Sequence, residues 1–572
     1  MESKLQAAWK ENRLKNPLPP LRRFHLGEIG KWTTLALVAC FFLFPLLKLT
    51  FLSVKTDTGI GLTHFTEILA DPRTWLAVEN TCWVAGGSTA IAVVIGVGLA
   101  WICAYTDIRR KGWIHLLALM PLLIPSYVTS LAWTQLAGPT GFLNKWASLW
   151  NVYGLDGIIV VMGLTHYPLV YLLTLSVLYR IPKELEWAAR ASGAEGMKVF
   201  RQVTLPLALP GIAGGGLLAF IASLDNFGIP AFLGIPEGVT VLSTLIYEQV
   251  IGFGPSAFAR TAALSIILGV IALLGTGAQW MLVRNNRLDQ TDAEDRSIRY
   301  PLGKKRFLLE GLVWIFLLGT SVVPLLAMAA TSFLKAYGLA FTLENLTWDN
   351  FRFVLAGNAA SQGAIRNSLA LASMTTVICM VAGTLLAYWR VKQPTILLKA
   401  IEGAVSLPYA LPGIVLALAM ILTWIEPFPG WQPGIYGTIW MILVAYLTRF
   451  LILQVRSSSS AMLQIGNEVE EAARINGAGL LARWQKVLIP LYLPGILTGA
   501  FLVFLTSVTE LTISSLLWSS GTATIGVVIF NLEQAGQTAN STAFSTVIVA
   551  AIGLAISLGG LMKQWWRRRE AR

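Results

Sequence analysis

The chain contains many uninterrupted apolar runs of about 20 residues, the length that a helix needs to cross the hydrocarbon core of a bilayer. In water, a fold built from such runs would expose large apolar surfaces and aggregate. Hydrophobic residues make up 55% of the 572 residues, and charged residues make up only 13%. Lipid is therefore the expected solvent, and the chain is predicted to be an all-α polytopic membrane protein.

The apolar runs predict about 12 transmembrane helices, six in each half of the chain. In the first half they cover residues 33–53, 82–104, 113–136, 157–178, 207–226 and 261–283. In the second half they cover residues 308–332, 368–389, 400–424, 435–455, 491–516 and 542–562. Prolines interrupt the runs at 113–136 and 400–424, but neighbouring helices can satisfy the freed backbone groups, so both are still interpreted as spans.

Lys and Arg residues are concentrated in alternate loops. If the N-terminus is cytoplasmic, 34 of the 43 Lys and Arg residues face the cytoplasm, in segments 1–32, 105–112, 180–205, 284–306, 388–400, 456–488 and 563–572. Cytoplasmic loops carry such an excess, so both termini are predicted to be cytoplasmic. The net charge of +13 is interpreted as a topology signal with some attraction to membrane lipid, and no nucleic-acid partner is expected.

An internal repeat divides the chain into two related halves. Four residues recur at an offset of 287, which pairs Asn80, Ala100, Pro121 and Pro125 with Asn367, Ala387, Pro408 and Pro412. Eight more recur at an offset of 284, which pairs Ala188, Ala189, Arg190, Gly193, Pro206, Pro210, Gly211 and Ile212 with Ala472, Ala473, Arg474, Gly477, Pro490, Pro494, Gly495 and Ile496. With six spans each, the halves have the same orientation about an axis along the membrane normal, and a pathway is expected between them.

The repeat and the loops together predict the domain organisation. A cytoplasmic N-terminal tail covers 1–32, the first transmembrane half 33–290, a cytoplasmic linker 291–306, the second half 307–565 and a basic cytoplasmic tail 566–572. The four cysteines fall inside predicted spans, without a CxxC pair, and are interpreted as packing residues. The sequence contains no nucleotide-binding, nucleophile or metal-ligand motif, so no catalytic site, metal site or cofactor is expected in this chain.

Two predicted cytoplasmic segments, 186–212 and 470–496, are amphipathic and basic. Each has a run of helix-forming residues, then a glycine positioned to break the helix (Gly193, Gly477), then a second helical piece that ends at Leu-Pro or Ile-Pro and opens the next span. This pattern predicts a short helix along the membrane surface in each half. The pattern alone does not distinguish a packing helix from one that binds a partner.

These segments resemble the "EAA" signature of ABC importer permeases. In the second copy Glu471, Ala472, Ala473 and Gly477 match the signature, although Ile489 stands where the family has Leu before the proline. The first copy departs from the signature, because Trp187 takes the position of the Glu and Glu186 precedes it. The resemblance covers nearly the whole chain and implies that each segment forms a coupling helix that docks on an ATP-binding subunit.

The resemblance implies a set of coupling residues and partners. The implied coupling residues are Glu186, Ala188, Ala189, Arg190, Gly193, Pro206, Glu471, Ala472, Ala473, Arg474, Gly477 and Pro490. Two copies of an ATP-binding subunit, which would bind the ATP and Mg, would drive alternating access, so this chain is expected not to be an enzyme. The implied location is the bacterial inner membrane.

The fused layout and the segments LDNFGIPAFLG and VTELTISSLL resemble the ferric-iron branch of these permeases. That branch includes thiamine and aminophosphonate transporters, and a periplasmic or lipid-anchored substrate-binding protein delivers the substrate. Ferric iron is the expected substrate, with thiamine, an aminophosphonate or a polyamine as alternatives. A twelve-helix secondary carrier is an alternative of another class, because Asp107, Arg109 and Arg110 resemble a major-facilitator loop, but the duplicated segments argue against it.

Ionisable residues inside predicted spans are candidates for a translocation pathway. Asp225 and Glu510 lie 14 and 15 residues after Gly211 and Gly495, so they are nearly equivalent in the repeat. They are expected to face one another across the pathway and to suit a cationic or metal-bearing substrate, unless both are structural residues at outer helix ends. Arg449 would pair with a carboxylate, either structurally or within the pathway, or meet an anionic substrate.

Overall fold

The computed structural model describes residues 33–56, 59–144, 150–253, 257–283, 294–426 and 434–570. The predicted N-terminal tail (1–32) and the predicted boundary at 290–291 lie outside these residues. The helices of the first half are α1 (Thr33–Val54), α2 (Thr63–Ala70), α3 (Pro72–Tyr105), α4 (Lys111–Leu123), α5 (Ser126–Ala137), α6 (Leu155–Leu178), α7 (Lys183–Ala191), α8 (Met197–Asp225), α9 (Gly228–Leu233), α10 (Leu242–Phe253) and α11 (Phe258–Val283). A two-stranded antiparallel hairpin, β1 (Lys55–Thr56) and β2 (Gly59–Ile60), follows α1.

The second half has the same order of elements. Its helices are α12 (Gly303–Thr331), α13 (Asp349–Arg352), α14 (Ala359–Lys392), α15 (Ile396–Ala410), α16 (Gly413–Trp424), α17 (Ile439–Leu463), α18 (Asn467–Ile475), α19 (Leu481–Val508), α20 (Ser514–Leu517), α21 (Ile525–Gln534) and α22 (Thr538–Glu570). Among the described residues, ten helices are long and apolar enough to cross a membrane. The prediction of an all-α polytopic membrane protein is therefore confirmed.

Two of the predicted spans are broken helices. The run at 113–136 forms α4 and α5, which meet at 104°, and the run at 400–424 forms α15 and α16, which meet at 108°. Pro125 and Pro412 lie directly before α5 and α16, and the residue before each proline is extended. A proline disfavours the helical conformation of the residue that precedes it, so the helix stops there. Each pair taken together is apolar enough to form one broken span, so a span at each of these places stays a prediction.

A third broken pair was not predicted from the sequence. In the first half α8 ends at Asp225, and the helical segments Gly228–Glu237 and Leu242–Phe253 follow, bent by 76° relative to one another. In the second half the shorter helices α20 and α21 take this place. The span predicted at 491–516 therefore ends earlier than expected, at Val508.

Wide π-helical turns precede matching prolines in the two halves. A proline has no N–H and its ring crowds the carbonyl four residues earlier, and each of these carbonyls lies inside the wide turn. A helix can therefore continue through the proline. The turns are Ala39–Leu43 before Pro45, Leu318–Val322 before Pro324, Phe200–Thr204 before Pro206 and Trp484–Leu488 before Pro490.

The first spanning helix of each half packs against the other half. In α1, Phe41 stacks on Trp424 with ring centroids 5.7 Å apart, and its carbonyl accepts a hydrogen bond of 3.4 Å from the Thr448 hydroxyl. In α12, the Ser321 hydroxyl donates to the Leu117 carbonyl of α4 at 3.3 Å. These contacts join the two halves at two places, through α1 and through α12.

Small residues allow α3 and α6 to approach closely within the first half. A Cβ atom at Gly96 would lie 2.7 Å from the Val170 Cβ atom and 2.9 Å from the Tyr167 carbonyl oxygen. A Cβ atom at Gly163 would lie 2.7 Å from the Ile91 side chain. Without a strong hydrophobic drive between helices in lipid, such close backbone packing is a main source of association.

Candidate functional site

Two short amphipathic helices, α7 and α18, occupy equivalent places in the two halves. Each ends two residues before the glycine that the sequence indicated, and this glycine has a φ of +86° at Gly193 and +78° at Gly477. The N–H groups of Ala194 and Ala478 return to carbonyls of the preceding helix, at 3.0 and 3.1 Å. Glycine tolerates this left-handed conformation without steric cost, so the chain turns sharply into the next helix.

One face of each short helix is exposed. Trp187 is 55% exposed, and Glu471, at the equivalent position, is also exposed. Ala188, Ala472, Arg190 and Arg474 are exposed as well, whereas Ala189 and Ala473 are half-buried. Ile475 is 84% exposed at the end of α18, although it is strongly apolar. The two helices thus present matching surfaces of small, charged and apolar side chains.

Glu186 does not lie on this exposed surface. Its side chain is 1% exposed, and Oε1 accepts hydrogen bonds from the Thr204 hydroxyl at 2.7 Å and from Arg299 Nη1 at 2.9 Å. The carboxylate therefore fixes α7 to the body of the first half and cannot reach a docked partner directly. This differs from the expectation that Glu186 belongs to the contact surface of the coupling helix.

Glu470 has the corresponding place in the second half. Oε1 accepts a hydrogen bond of 2.8 Å from the Tyr388 hydroxyl and lies 3.6 Å from Arg483 Nη1, while Oε2 lies 3.3 Å from Lys392 Nζ. The offset of 284 pairs Glu186 with Glu470, not with Glu471. Each short helix is thus attached through the glutamate that precedes the exposed Trp187 or Glu471. The offset of 284 in the sequence already indicated that these two glutamates are equivalent.

Pro206 and Pro490 lie inside continuous helices. The chain runs without a break from Met197 to Asp225 and from Leu481 to Val508, so the predicted second helical piece and the following span are one helix in each half. In each half, the glycine turn after the short helix therefore leads into one long continuous helix.

The linker between the halves lies against α7. We call residues 294–302 the strap. Within it, the Asp295 carboxylate accepts hydrogen bonds from the N–H groups of Lys183 and Ser297 at 3.0 and 2.9 Å. Partial burial opposes ionisation of Asp295, but these hydrogen bonds and the Arg299 charge outweigh it and lower its pKa. A hydrogen bond from the Leu302 N–H likewise lowers the pKa of Asp107. The predicted cytoplasmic segments 105–112 and 180–205 therefore meet the strap on one face.

Asp225 and Arg449 come from different halves and form an ion pair. Arg449 Nη2 lies 2.5 Å from Asp225 Oδ2, and Arg449 Nη1 donates to the Leu411 carbonyl at 3.1 Å. Asp225 Oδ1 accepts a hydrogen bond of 2.6 Å from the Gly413 N–H at the start of α16. A carboxylate at a helix N-terminus satisfies a backbone donor that the helix itself leaves free.

Glu510 is equivalent to Asn226 rather than to Asp225. Glu510 accepts hydrogen bonds from the N–H groups of Ile513 and Ser514 at 2.6 and 3.0 Å, and Asn226 accepts one from the N–H of Ile229 at 3.0 Å. Both residues cap the helical turn that follows them, at an offset of 284. Glu510 is 8% exposed and is held by its own segment, so the expected approach of Asp225 and Glu510 across the pathway is replaced by the pairing of Asp225 with Arg449.

A cavity of about 310 Å³ with a mixed polar and apolar lining lies between the halves beside Asp225. Its polar lining residues are Ser126, Thr165, His166, Asp225 and Asn226 from the first half and Thr506, Thr509 and Thr512 from the second half, and the other lining residues, such as Leu169 and Leu505, are apolar. Among the described residues, no group of three or more His, Cys, Asp or Glu side chains is placed to hold a metal ion.

Several polar groups of the cavity act as hydrogen-bond acceptors, beside Ser126, Asn226 and Thr512, which can also donate. The hydroxyls of Thr165, Thr506 and Thr509 donate to carbonyls of their own helices at 2.7, 2.8 and 2.9 Å, so their oxygens retain only acceptor capacity. Ser223 donates to the Ala219 carbonyl at 2.8 Å and therefore accepts from His166 Nδ1–H at 3.0 Å. In the neutral imidazole this leaves His166 Nε2 as an acceptor.

Sequence reasoning missed His166, Arg299, Glu470 and the three threonines as site residues. His166 appeared in the sequence only as one of four scattered histidines, and the threonines are ordinary residues of an apolar helix. Arg299 contributed only to the count of basic residues that predicted the topology. Helical spacing gives a weak signal for the threonines, since Thr506 and Thr509 are three residues apart and share a helix face.

Two repeated helical halves around a shared cavity, each with an exposed short helix at the same place, define a two-half membrane permease. The chain belongs to the family described as the binding-protein-dependent transport system inner membrane component, whose model matches residues 92–288 and 379–571. It is thus the permease, a multi-pass inner-membrane transport subunit, of a binding-protein-dependent ABC importer. This confirms the resemblance found in the sequence and excludes the secondary-carrier alternative.

Relatives with a similar fused layout are named for ferric iron. The chain is 23% identical to the ferric transport system permease protein FbpB of Actinobacillus pleuropneumoniae, over 92% of this chain and 76% of that protein. It is 22% identical to the Fe(3+)-transport system permease protein FbpB 2 of Haemophilus influenzae, over 88% of this chain and 92% of that protein. It is 30% identical to the molybdenum transport system permease protein ModB of Escherichia coli, over 36% of this chain and 93% of that protein.

Proposed function

We propose that this permease imports ferric iron, driven by ATP hydrolysis on two copies of a separate ATP-binding subunit that bind the nucleotide and Mg. A substrate-binding protein on the outer side, periplasmic or lipid-anchored, would deliver the ion. The observation that carries the ATP-coupling part is the pair of exposed, equivalently placed helices α7 and α18. Each is fixed to its half by a buried or partly buried glutamate, so each can transmit force to a spanning helix.

Chemistry of the cavity supports a cation rather than an oxyanion as the substrate. Threonine oxygens, the Asp225 carboxylate and His166 Nε2 offer lone pairs, and a hard cation such as Fe(III) prefers oxygen ligands. Thr165, Thr506 and Thr509 have committed their hydroxyl protons to their own helices, so these three residues offer no donor to an oxyanion such as molybdate. The names of the two FbpB relatives favour the same substrate.

In the proposed cycle the Asp225–Arg449 pair changes with the state of the pathway. The pair joins the halves beside the cavity, so a movement of one half against the other must lengthen or break it. A cation in the cavity would compete with Arg449 for the Asp225 carboxylate. Arg449 would then act as the internal counter-ion that holds the carboxylate when the cavity is empty.

The orientation and the docking surfaces can be tested on the same chain. In a variant that lacks the four native cysteines, the thiol introduced by Ile475→Cys should react with a membrane-impermeant maleimide in inside-out vesicles only. Ala472→Arg and Ala188→Arg place a bulky side chain on an exposed coupling surface, so they should remove the co-purifying ATPase and radioactive iron uptake. Gln393→Arg, an exposed position on a nearby turn, is the control.

Two results would contradict the proposal. Labelling of position 475 from the outer side would place α18 where no cytoplasmic subunit can reach it. Iron uptake and ATPase retention equal to those of the Gln393→Arg control in both alanine variants would show that the helices are not docking surfaces. Uptake of thiamine, a phosphonate, a polyamine or molybdate instead of iron would contradict ferric iron as the substrate but not the proposed ATP coupling.

A further inference from the structure

The two short helices are attached to the body of the protein by different means. In the second half, the cations around Glu470 are Lys392 from α14 and Arg483 from the first turn of α19. The repeat offsets of 287 and 284 place Tyr105 and Val199 at these positions in the first half. The first half therefore lacks both cations at the positions where the second half has them.

Arg299 of the strap supplies the missing charge. Its side chain is 2% exposed, it donates to Glu186 at 2.9 Å and to the Ile181 carbonyl, and its guanidinium lies 4.1 Å from the centre of the Tyr105 ring. A buried carboxylate without a partner is strongly unfavourable, so Glu186 depends on this residue from outside its own half.

The strap is bound along its length rather than at one residue. The N–H groups of Arg299 and Tyr300 both donate to the Tyr105 carbonyl, at 2.9 and 3.0 Å, and the Asp295 N–H donates to the Tyr179 carbonyl at 2.6 Å. Arg190 of α7 lies 5.0 Å from the centre of the Tyr300 ring. The strap thus contacts the ends of α3 and α6 and both the buried and the exposed side of α7.

We propose that Arg299 is a positioning residue for ATP coupling, and that the strap connects α7 to the second half. The strap continues directly into α12, which packs on α4 through Ser321 and Leu117. A displacement of α7 is therefore transmitted by two routes, through α8 within the first half and through the strap to α12. The helix α18 has the corresponding route through α19, and the cations that hold its Glu470 belong to its own half. This inference rests on the proposed coupling role of α7.

The test compares the two halves in the same protein. Hydrogen exchange is measured on the purified full-length permease in detergent, without any ATPase. Arg299→Ala should raise exchange of the amides in residues 183–192 at least tenfold and leave residues 467–475 unchanged. Lys392→Ala should do the reverse. Lys304→Ala, which removes an exposed charge just beyond the strap, should change neither segment.

Coupling is then measured on the reconstituted complex. Arg299→Ala should lower substrate transported per ATP hydrolysed at least threefold while ATP turnover stays within twofold, and Arg299→Lys should restore part of the ratio. A merely structural role would lower both rates together. Unchanged exchange in 183–192, or a transport-to-ATP ratio equal to that of Lys304→Ala, would overturn the inference. If exchange responds as expected but transport does not depend on ATP, the proposed function fails and the role of Arg299 in holding α7 stands.

Discussion

The guanidinium of Arg449 lies 2.5 Å from the carboxylate of Asp225, so the second half holds a charged residue at the end of α8 of the first half. Arg449 is 7% exposed at its side chain and Asp225 is 32% exposed. The carboxylate therefore remains open to the cavity while its charge is balanced from the buried side. This arrangement makes Asp225 both a structural and an accessible residue.

Asp225→Asn should strongly impair transport because it leaves the buried Arg449 charge without its counter-ion. Breaking a fully buried pair costs about 3–5 kcal/mol, and partial exposure of Asp225 places the expected cost at or below about 3 kcal/mol. A cost of about 1.4 kcal/mol within this range corresponds to a factor of ten, so we expect iron uptake to fall roughly tenfold. Glu237→Gln, which neutralises an exposed carboxylate after α9, is the control. Uptake within twofold of that control would contradict the assignment of the ion pair to the pathway.

Gly96→Ala should destabilise the first half, because its methyl group would overlap Val170 and the Tyr167 carbonyl of α6. Overpacking of a tight interface typically costs about 1–3 kcal/mol. Gly98→Ala on the same helix meets nothing within 4 Å and serves as the matched control. The measurement is the temperature at which half of the detergent-solubilised protein aggregates. Equal temperatures for the two variants would be evidence against the close α3–α6 packing.

Glu510→Ala should destabilise the protein more than Asn226→Ala. The first change removes the acceptor of the N–H groups of Ile513 and Ser514 and of the Ser514 hydroxyl, whereas the second removes the acceptor of one N–H. Each orphaned buried donor costs about 1–3 kcal/mol. Thermal unfolding in detergent measures both variants. A larger effect of Asn226→Ala would refute the capping roles described for this pair.

Gly477→Ala should weaken coupling without changing the amount of protein in the membrane. Nothing lies within 4 Å of the added methyl group, so the cost comes from the φ of +78°, which an L residue adopts at about 1–2 kcal/mol. Because this is a factor of roughly five or more in a conformational equilibrium, transport per ATP should fall about fivefold. Gly479→Ala also meets nothing within 4 Å and has no such φ, so it should behave as the unaltered protein. Equal coupling in the two variants would show that the turn after α18 does not limit transport.

The spans, the repeat and the short helices could be predicted because each depends on local composition or on spacing along the chain. The bends at Pro125 and Pro412 could not, since a proline inside an apolar run is compatible with a kinked span as well as with a broken one. The pairing of Asp225 with Arg449 is a tertiary contact between the halves, and no periodicity in the sequence predicts it.

Two further features of the structure differ from what the sequence predicted. The prediction treated Asp225 and Glu510 as nearly equivalent because they lie 14 and 15 residues after Gly211 and Gly495, but the offset of 284 aligns Asn226 with Glu510, and their shared capping role follows the offset. Arg299 was one of seven basic residues in a loop, and a count of charges cannot show that one of them is buried against Glu186.

The packing of α1 against the second half also limits when the native contacts can form during synthesis. The helix α1 is complete at residue 54, but Trp424 and Thr448, which it contacts, are made more than 350 residues later. At about 5–20 residues per second, the ribosome needs roughly 20 to 80 s to produce them. During that interval the apolar surface of α1 must be covered by lipid or by an insertion factor, so the nascent permease reaches its native arrangement only when its second half enters the bilayer.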